Sequence, residues 1–346
     1  MYKPTTLRAY ALCAEEHGYK PSTVFADSPI SWDDIHQLKP MSLDTTAGLF
    51  DLLARRTAPS FAIQCGKACK LSSYGVVGFA VQSMPTVRDA FECWKQYCML
   101  AGFPLIGSIS EDGDCWTYEF TQRSIMSPAA LRLCIETSIA AVETVVCELS
   151  GMPADTVQID FSFPEPASIV AYAALGTDRI RFGQPRSRYI GKLADLDRPV
   201  RFNSDEVSNI FHENCDRMLR ELLESRTIAE RIEDVLTVSS GQIPTISEMA
   251  ASLGTGTRTL QRQLNQEGLR YVEVVKAFRI RHAKLLLMES RSNVKSIAYL
   301  LGYQDPGSFR RAFKEWTGMT TKQWQAETTK PVKGYLGEQM GRALSV

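Results

Sequence analysis

Ile246-Ser-Glu-Met-Ala-Ala-Ser-Leu-Gly-Thr-Gly-Thr-Arg-Thr-Leu-Gln-Arg-Gln-Leu264 and Val294-Lys-Ser-Ile-Ala-Tyr-Leu-Leu-Gly-Tyr-Gln-Asp-Pro-Gly-Ser-Phe-Arg-Arg-Ala-Phe-Lys-Glu-Trp316 follow one plan, about fifty residues apart. Each reads as a short helix, a Gly turn and a second helix. In the first, Thr245 or Ser247 can cap a helix that turns Ile246, Met249, Ala250 and Leu253 inward. Gly254-Thr-Gly256 supplies the turn, because Gly takes positive φ without steric cost. Leu260 and Leu264 of the second helix are four apart and face inward. Arg258, Gln261 and Arg262 face outward, with Thr259 among them. Arg can bond guanine O6 and N7 together, and Gln can pair with adenine. In the second unit Ile297, Ala298 and Leu301 point inward and Gly302-Tyr-Gln304 is the turn. Asp305 can cap, and Pro306 sits at the first helical position, where a missing N–H costs nothing. Phe309 and Phe313 are the inward pair. Ser308, Arg310 and Arg311 remain for DNA.

Between the units, Tyr271 to Met288 carries no Gly or Pro and predicts one continuous helix. Eighteen residues at ~1.5 Å each give roughly 27 Å. With short arms at each end, the two second helices are expected about 34 Å apart, one turn of B-DNA, so one chain can enter two successive major-groove segments. An ordinary helical bundle with a solvated basic face is the bland alternative. Two such patterns in tandem, joined by a rigid spacer, weigh against it.

Charge agrees. The chain has 346 residues and no net charge, with 39 basic and 39 acidic side chains. Residues 241–330 hold fourteen Lys/Arg and seven Asp/Glu, a balance of +7, and the remainder carries −7. The C-terminal part is suited to a polyanion and the rest is not. Such length predicts more than one domain. Without an eighteen-residue apolar run or a secretory signal at the start, a cytoplasmic address and no membrane partner are expected.

Residues 1 to about 200 read as a mixed unit. Helical spacing marks Thr46–Arg56, Thr86–Leu100 and Leu131–Leu149. Cys115-Trp-Thr-Tyr-Glu-Phe120 alternates as a strand after the turn signal Glu111-Asp-Gly-Asp114, and Val157 to Phe163 alternates again. Gly75-Val-Val-Gly-Phe-Ala-Val81 is either a strand or the start of a buried helix. Trp94, Tyr97, Trp116 and Tyr118 are candidates to line a pocket or, more simply, to fill a core. After a boundary near 197–204 comes an amphipathic helix to about Ser225, fit to pack on the first domain or to pair with a partner chain. The nine cysteines read as unpaired small hydrophobes, and Cys65-Gly-Lys-Ala-Cys69 is a weak metal signal.

From Ile246 to Leu264 and from Ile297 to Met319 the chain resembles the AraC/XylS family of bacterial transcription regulators; the similar region runs from about Ala229 to Glu327. The resemblance places Arg258, Gln261 and Arg262 at the reading positions of the first recognition helix. It places Gly307, Ser308 and Arg311 at those of the second, with Arg310 beside them. The family usually has Ser where this chain has Gly256, and Ser-Pro where it has Thr320-Thr321; a weaker cap and a less rigid last turn are implied. More faintly, Gly75-Val-Val-Gly-Phe-Ala-Val-Gln-Ser-Met-Pro-Thr-Val-Arg-Asp-Ala90 and Ile180-Arg-Phe-Gly-Gln-Pro-Arg186 are similar to the sensor half of a subgroup whose domain carries an arabinose-binding label. That implies a small-molecule effector, though no motif transfers arabinose or any effector-binding residue.

Enzyme classes find no support: Gly-rich phosphate loop, Gly-x-Ser-x-Gly elbow and His-Glu-x-x-His helix are all missing, as is a Pro-Cys-His-Arg methyl-acceptor element of DNA repair. A non-specific architectural DNA binder is the other alternative, and it would want diffuse basic charge or intercalating wedges. The expectation is therefore a regulator with no catalytic residue, metal or cofactor. Its parts are a mixed α/β (α+β) sensor over 1–203, a linker or dimerisation helix over 204–228, an all-α DNA-binding domain over 229–327 and a flexible tail over 328–346. The helix-turn-helix units fall at 246–264 and 294–316. Promoter DNA, a small effector, a homodimer mate and, for an activator, RNA polymerase are the expected partners.

Overall fold

The computed structural model describes residues 1–346 except 27, 125, 152–155, 202–203, 240–241, 289–292 and 329–346. The expected boundary at 203 and nearly all of the expected tail lie outside the described residues. The chain divides into two compact units, Met1–Glu230 and Arg231–Val346.

The first unit contains helices α1 (Thr5–Glu16), α2 (Pro21–Val24), α3 (Trp32–His36), α4 (Leu43–Arg56), α5 (Phe61–Lys67), α6 (Val76–Gln82), α7 (Val87–Tyr97), α8 (Pro128–Ser150) and α9 (Asp205–Glu224). Its strands are β1 (Leu105–Asp112), β2 (Cys115–Gln122), β3 (Gln158–Asp160), β4 (Ile180–Arg181) and β5 (Arg188–Lys192). They form one five-stranded sheet in the order β1-β2-β5-β3-β4. All pairs are antiparallel except β3 with β4. The mixed α/β architecture is the one expected.

Local chemistry sets the helix starts. Ser42, Thr86 and Ser127 each accept a backbone N–H three residues on, capping α4, α7 and α8. The 75–81 run, left open between strand and helix, is helical: Val77, Ala80 and Val81 are buried at helical spacing, and Phe79 is exposed. Along β2 the alternation is real, since Trp116 and Tyr118 are buried and their neighbours less so. The strand expected over 157–163 shrinks to the three residues of β3. At that point Asp160, fully buried, is gripped by Arg181 and Arg188 at 2.8 and 2.7 Å. Burial would raise the Asp160 carboxyl, but the two guanidiniums outweigh it and hold the pKa below the ordinary value.

The helix α9 packs within the first unit. Phe211 stacks on Phe79 of α6, with ring centroids 5.3 Å apart. Tyr97 Oη donates to Asp216 at 2.7 Å, and Cys215 is fully buried.

The second unit is helical: α10 (Ile228–Val238), α11 (Ile246–Ser252), α12 (Thr257–Gln266), α13 (Tyr271–Met288), α14 (Val294–Leu300), α15 (Pro306–Thr317) and α16 (Thr321–Thr328). Helix α13 is continuous over its 18 residues, as its composition predicts. Arg281 on α13 forms a forked pair with Glu233 on α10 at 2.9 and 2.7 Å. Among the described residues no helix is long and apolar enough to cross a membrane.

Candidate nucleic-acid interface

Helices α11 and α12 make the first helix-turn-helix. Of the two possible caps, Thr245 is the one used: it accepts from Glu248 N, while the Glu248 carboxylate takes the Thr245 N–H at 2.7 Å. Helix α11 ends at Ser252, and Gly254, with a φ of +65°, carries the turn. Helix α12 then starts at Gly256, which offers no side-chain hydrogen bond to the first turn. Leu260 and Leu264 are buried. Arg258, Gln261 and Arg262 are exposed on the opposite side, and Thr259 is half-buried.

Helices α14 and α15 make the second. Asn293 caps α14 through the Ser296 N–H, and Gly302 turns the chain at a φ of +75°. Asp305 caps α15, accepting the Ser308 N–H at 2.9 Å and the Ser308 hydroxyl at 2.6 Å. Those two bonds hold the Asp305 carboxyl below its usual pKa, the hydroxyl contributing most. Ser308 Oγ in turn accepts from Arg311 at 3.1 Å. Asp305, Ser308 and Arg311 thus form a chain on one face of α15, with Arg310 and Arg311 exposed. Gly307 contributes space: a Cβ there would come within 2.9 Å of the capping carboxylate.

Behind this face Phe309 and Phe313 are fully buried with Ala283, Leu287, Ile297 and Leu301, against the half-buried Tyr303 and Trp324. Arg279 of α13 braces the turn, donating to the Leu301 carbonyl at 3.0 Å and lying 5.0 Å from the centroid of the Tyr303 ring. Sequence reasoning missed that brace, whose only signal is an Arg on the spacer helix. The Thr320-Thr321 departure is not a loose end: Thr320 and Gln323 cap each other at 2.9 and 3.2 Å at the start of α16.

The four aromatic candidates of the first unit separate. Trp94 and Tyr118 line a cavity. Tyr97 is core and bonds Asp216, and Trp116 is core against Phe91 and Tyr189.

All eight expected DNA-facing residues therefore lie on the two second helices, four on each, and five of them are exposed, three on α12 and two on α15. The arrangement offers forked cations on two helices joined by α13, with the Gln261 amide on the first, which is the chemistry of base-edge recognition.

Residues 18–200 match the model for the arabinose-binding domain of AraC transcription regulators, and residues 249–327 match a helix-turn-helix domain. The ornithine utilization regulator of Pseudomonas aeruginosa is 26% identical over 82% of this chain and 87% of its own. The helix-turn-helix transcriptional regulator VqsM of the same species is 35% identical over 76% of this chain and 82% of its own. The crystal structure of the transcriptional regulator CdpR from Pseudomonas aeruginosa aligns with 94% of this chain and 99% of its own at 20% identity and a TM-score of 0.46.

Proposed function

The chain belongs to the AraC family of DNA-binding transcription regulators, and from that premise we propose that it reads two successive major-groove segments of a promoter under the control of a small-molecule effector. Arg258, Thr259, Gln261 and Arg262 read the first segment. Gly307, Ser308, Arg310 and Arg311 read the second, Gly307 by letting the backbone and cap sit close. Lysines and arginines elsewhere in the second unit supply phosphate contacts, which give affinity and register.

The observation that carries this reading is the Asp305–Ser308–Arg311 chain, which orients a guanidinium on an exposed helix face before any ligand arrives. The effector binds the first unit and shifts the population of DNA-competent protein. The exposed Val207 and Ile210 of α9 support that helix as the seat of a homodimer. As an activator the protein would also engage RNA polymerase.

The test is selection of bound genomic DNA by the purified full-length chain at near-physiological salt, with and without a metabolite pool. The expected product is a motif of two boxes about one helical turn apart. Uniform, salt-labile binding without a motif would overturn sequence-specific reading in favour of an architectural role.

A further inference from the structure

A half-enclosed cavity lies inside the first unit, between β1 and β2 on one side and α7 and α8 on the other. Its volume is about 100 Å³. An apolar cavity of roughly 150 Å³ accepts benzene, so this one suits a single ring with small adjustments of its walls. Aromatic side chains dominate those walls, among them Phe91, Trp94, Phe103, Tyr118 and Phe120. Rings of that kind favour an aromatic guest through edge and offset contacts. Tyr118 lies directly over Gly107, where any Cβ would meet the phenol ring at 1.9 Å.

The polar lining is sparse and mostly occupied. None of the lining residues is charged. Thr6 Oγ1 donates to the Ala101 carbonyl at 2.9 Å, and Cys69 Sγ and Tyr74 Oη engage each other at 3.4 Å. The Tyr10 phenol has Thr137 beside it. Tyr118 Oη and Ser138 Oγ remain, with no hydrogen-bond partner among the described residues, although both side chains are more than nine-tenths buried. Burial raises the pKa of Tyr118, keeping it a neutral hydroxyl. A buried hydroxyl without a partner is costly, and a ligand atom can relieve it. A sugar would bury many hydroxyls here against those of Tyr118 and Ser138 and the Trp94 indole N–H. An amino acid would bury charges against none.

We propose that this cavity binds a neutral single-ring aromatic compound carrying one hydroxyl or carbonyl, held by Tyr118 and Ser138. That compound is the effector of the reading above, on which the assignment of its role rests. The experiment titrates full-length protein with p-cresol, with L-arabinose and with L-lysine, following heat release and intrinsic Trp fluorescence. The expected result is saturable p-cresol binding and none by the other two. Val142→Trp, which fills the cavity, abolishes it, and Ser138→Ala weakens it about threefold. Ser138→Ala keeps the test decisive should Val142→Trp fail to fold. Saturable binding of arabinose or lysine that Val142→Trp removes would overturn the proposal. So would p-cresol binding that neither variant weakens, or no p-cresol binding at all. DNA selection is scored separately: loss of the two-box motif with p-cresol binding intact would retire the regulator reading and leave the ligand class of the cavity supported.

Discussion

The two helix-turn-helix units share a plan and differ in how their second helices begin. Helix α15 starts with a carboxylate cap, a proline at its first position and an Arg already oriented by Ser308. Helix α12 starts at Gly256 with no side-chain cap, and its outward Arg258 and Arg262 are exposed. Behind α15 sit two fully buried phenylalanines and the Arg279 brace; behind α12 sit two leucines. The second helix-turn-helix is preorganised, and the first is built so that its outward side chains and first turn are less constrained. Preorganised contacts give more discrimination per bond because less ordering remains to be done on binding.

The comparison can be broken most directly in the core. Phe313→Ala should destabilise the second helix-turn-helix by about 3–5 kcal/mol, measured by urea unfolding. Leu264→Ala should cost the first helix-turn-helix about 2–5 kcal/mol. A markedly greater loss for Leu264→Ala would reverse the ranking of the two cores.

At the DNA face, Arg311→Ala should cost about 1–3 kcal/mol at one base pair when measured by competition among single-base variants of the site. Arg262→Ala should cost less within the same range. A loss spread evenly over all sequences would mark a phosphate contact, and equal specific losses would remove the distinction between the helices.

Smaller again is the cap. Asp305→Ala should lower the unfolding midpoint of the protein at neutral pH and also weaken binding at the base read by Arg311. The folded carboxyl titrates below its unfolded value. Its stabilisation is therefore complete above the ordinary carboxylate range and is lost as pH falls through the depressed value. The gap between native and variant midpoints should accordingly close in acid; a gap that widens there would contradict the cap.

The smallest effect expected is a gain. Gly256 has an ordinary extended φ of −85° and no atom near its missing Cβ. Gly256→Ser should therefore stabilise the first helix-turn-helix by a few tenths of a kcal/mol, seen as slower amide exchange in the first turn of α12.

The second unit was legible because its signals are local. Thr245 with Glu248, Asp305 with Pro306, and the inward pairs Leu260/Leu264 and Phe309/Phe313 each fall within one or two helical turns. The first unit hid more. Strands of two and three residues, β4 and β3, have no period to detect, and they exist because Ile159 pairs with both Ile180 and Tyr189. Trp116 and Tyr118 share a strand face and both pack against Phe91 from another element, yet only Tyr118 reaches the cavity; Trp116 meets Tyr189 instead. The cavity itself draws on α1, α7, α8, β1 and β2, so no single window of sequence could announce it. Arg279 shows the same limit in the second unit, since the carbonyl it holds is 22 residues away.

The forked pair of Glu233 and Arg281 spans 48 residues of chain, and everything in α11 and α12 lies inside the span. In polymer terms the first helix-turn-helix is a closed loop, as is the second, which the Trp324 indole and the Lys284 carbonyl close over 40 residues. When the first opens locally its ends stay together, so it gains less disorder than a free segment of equal length would. A topological restraint at a distance thus offsets the missing cap at Gly256, and cutting the clasp with Glu233→Gln should loosen a helix that neither partner belongs to.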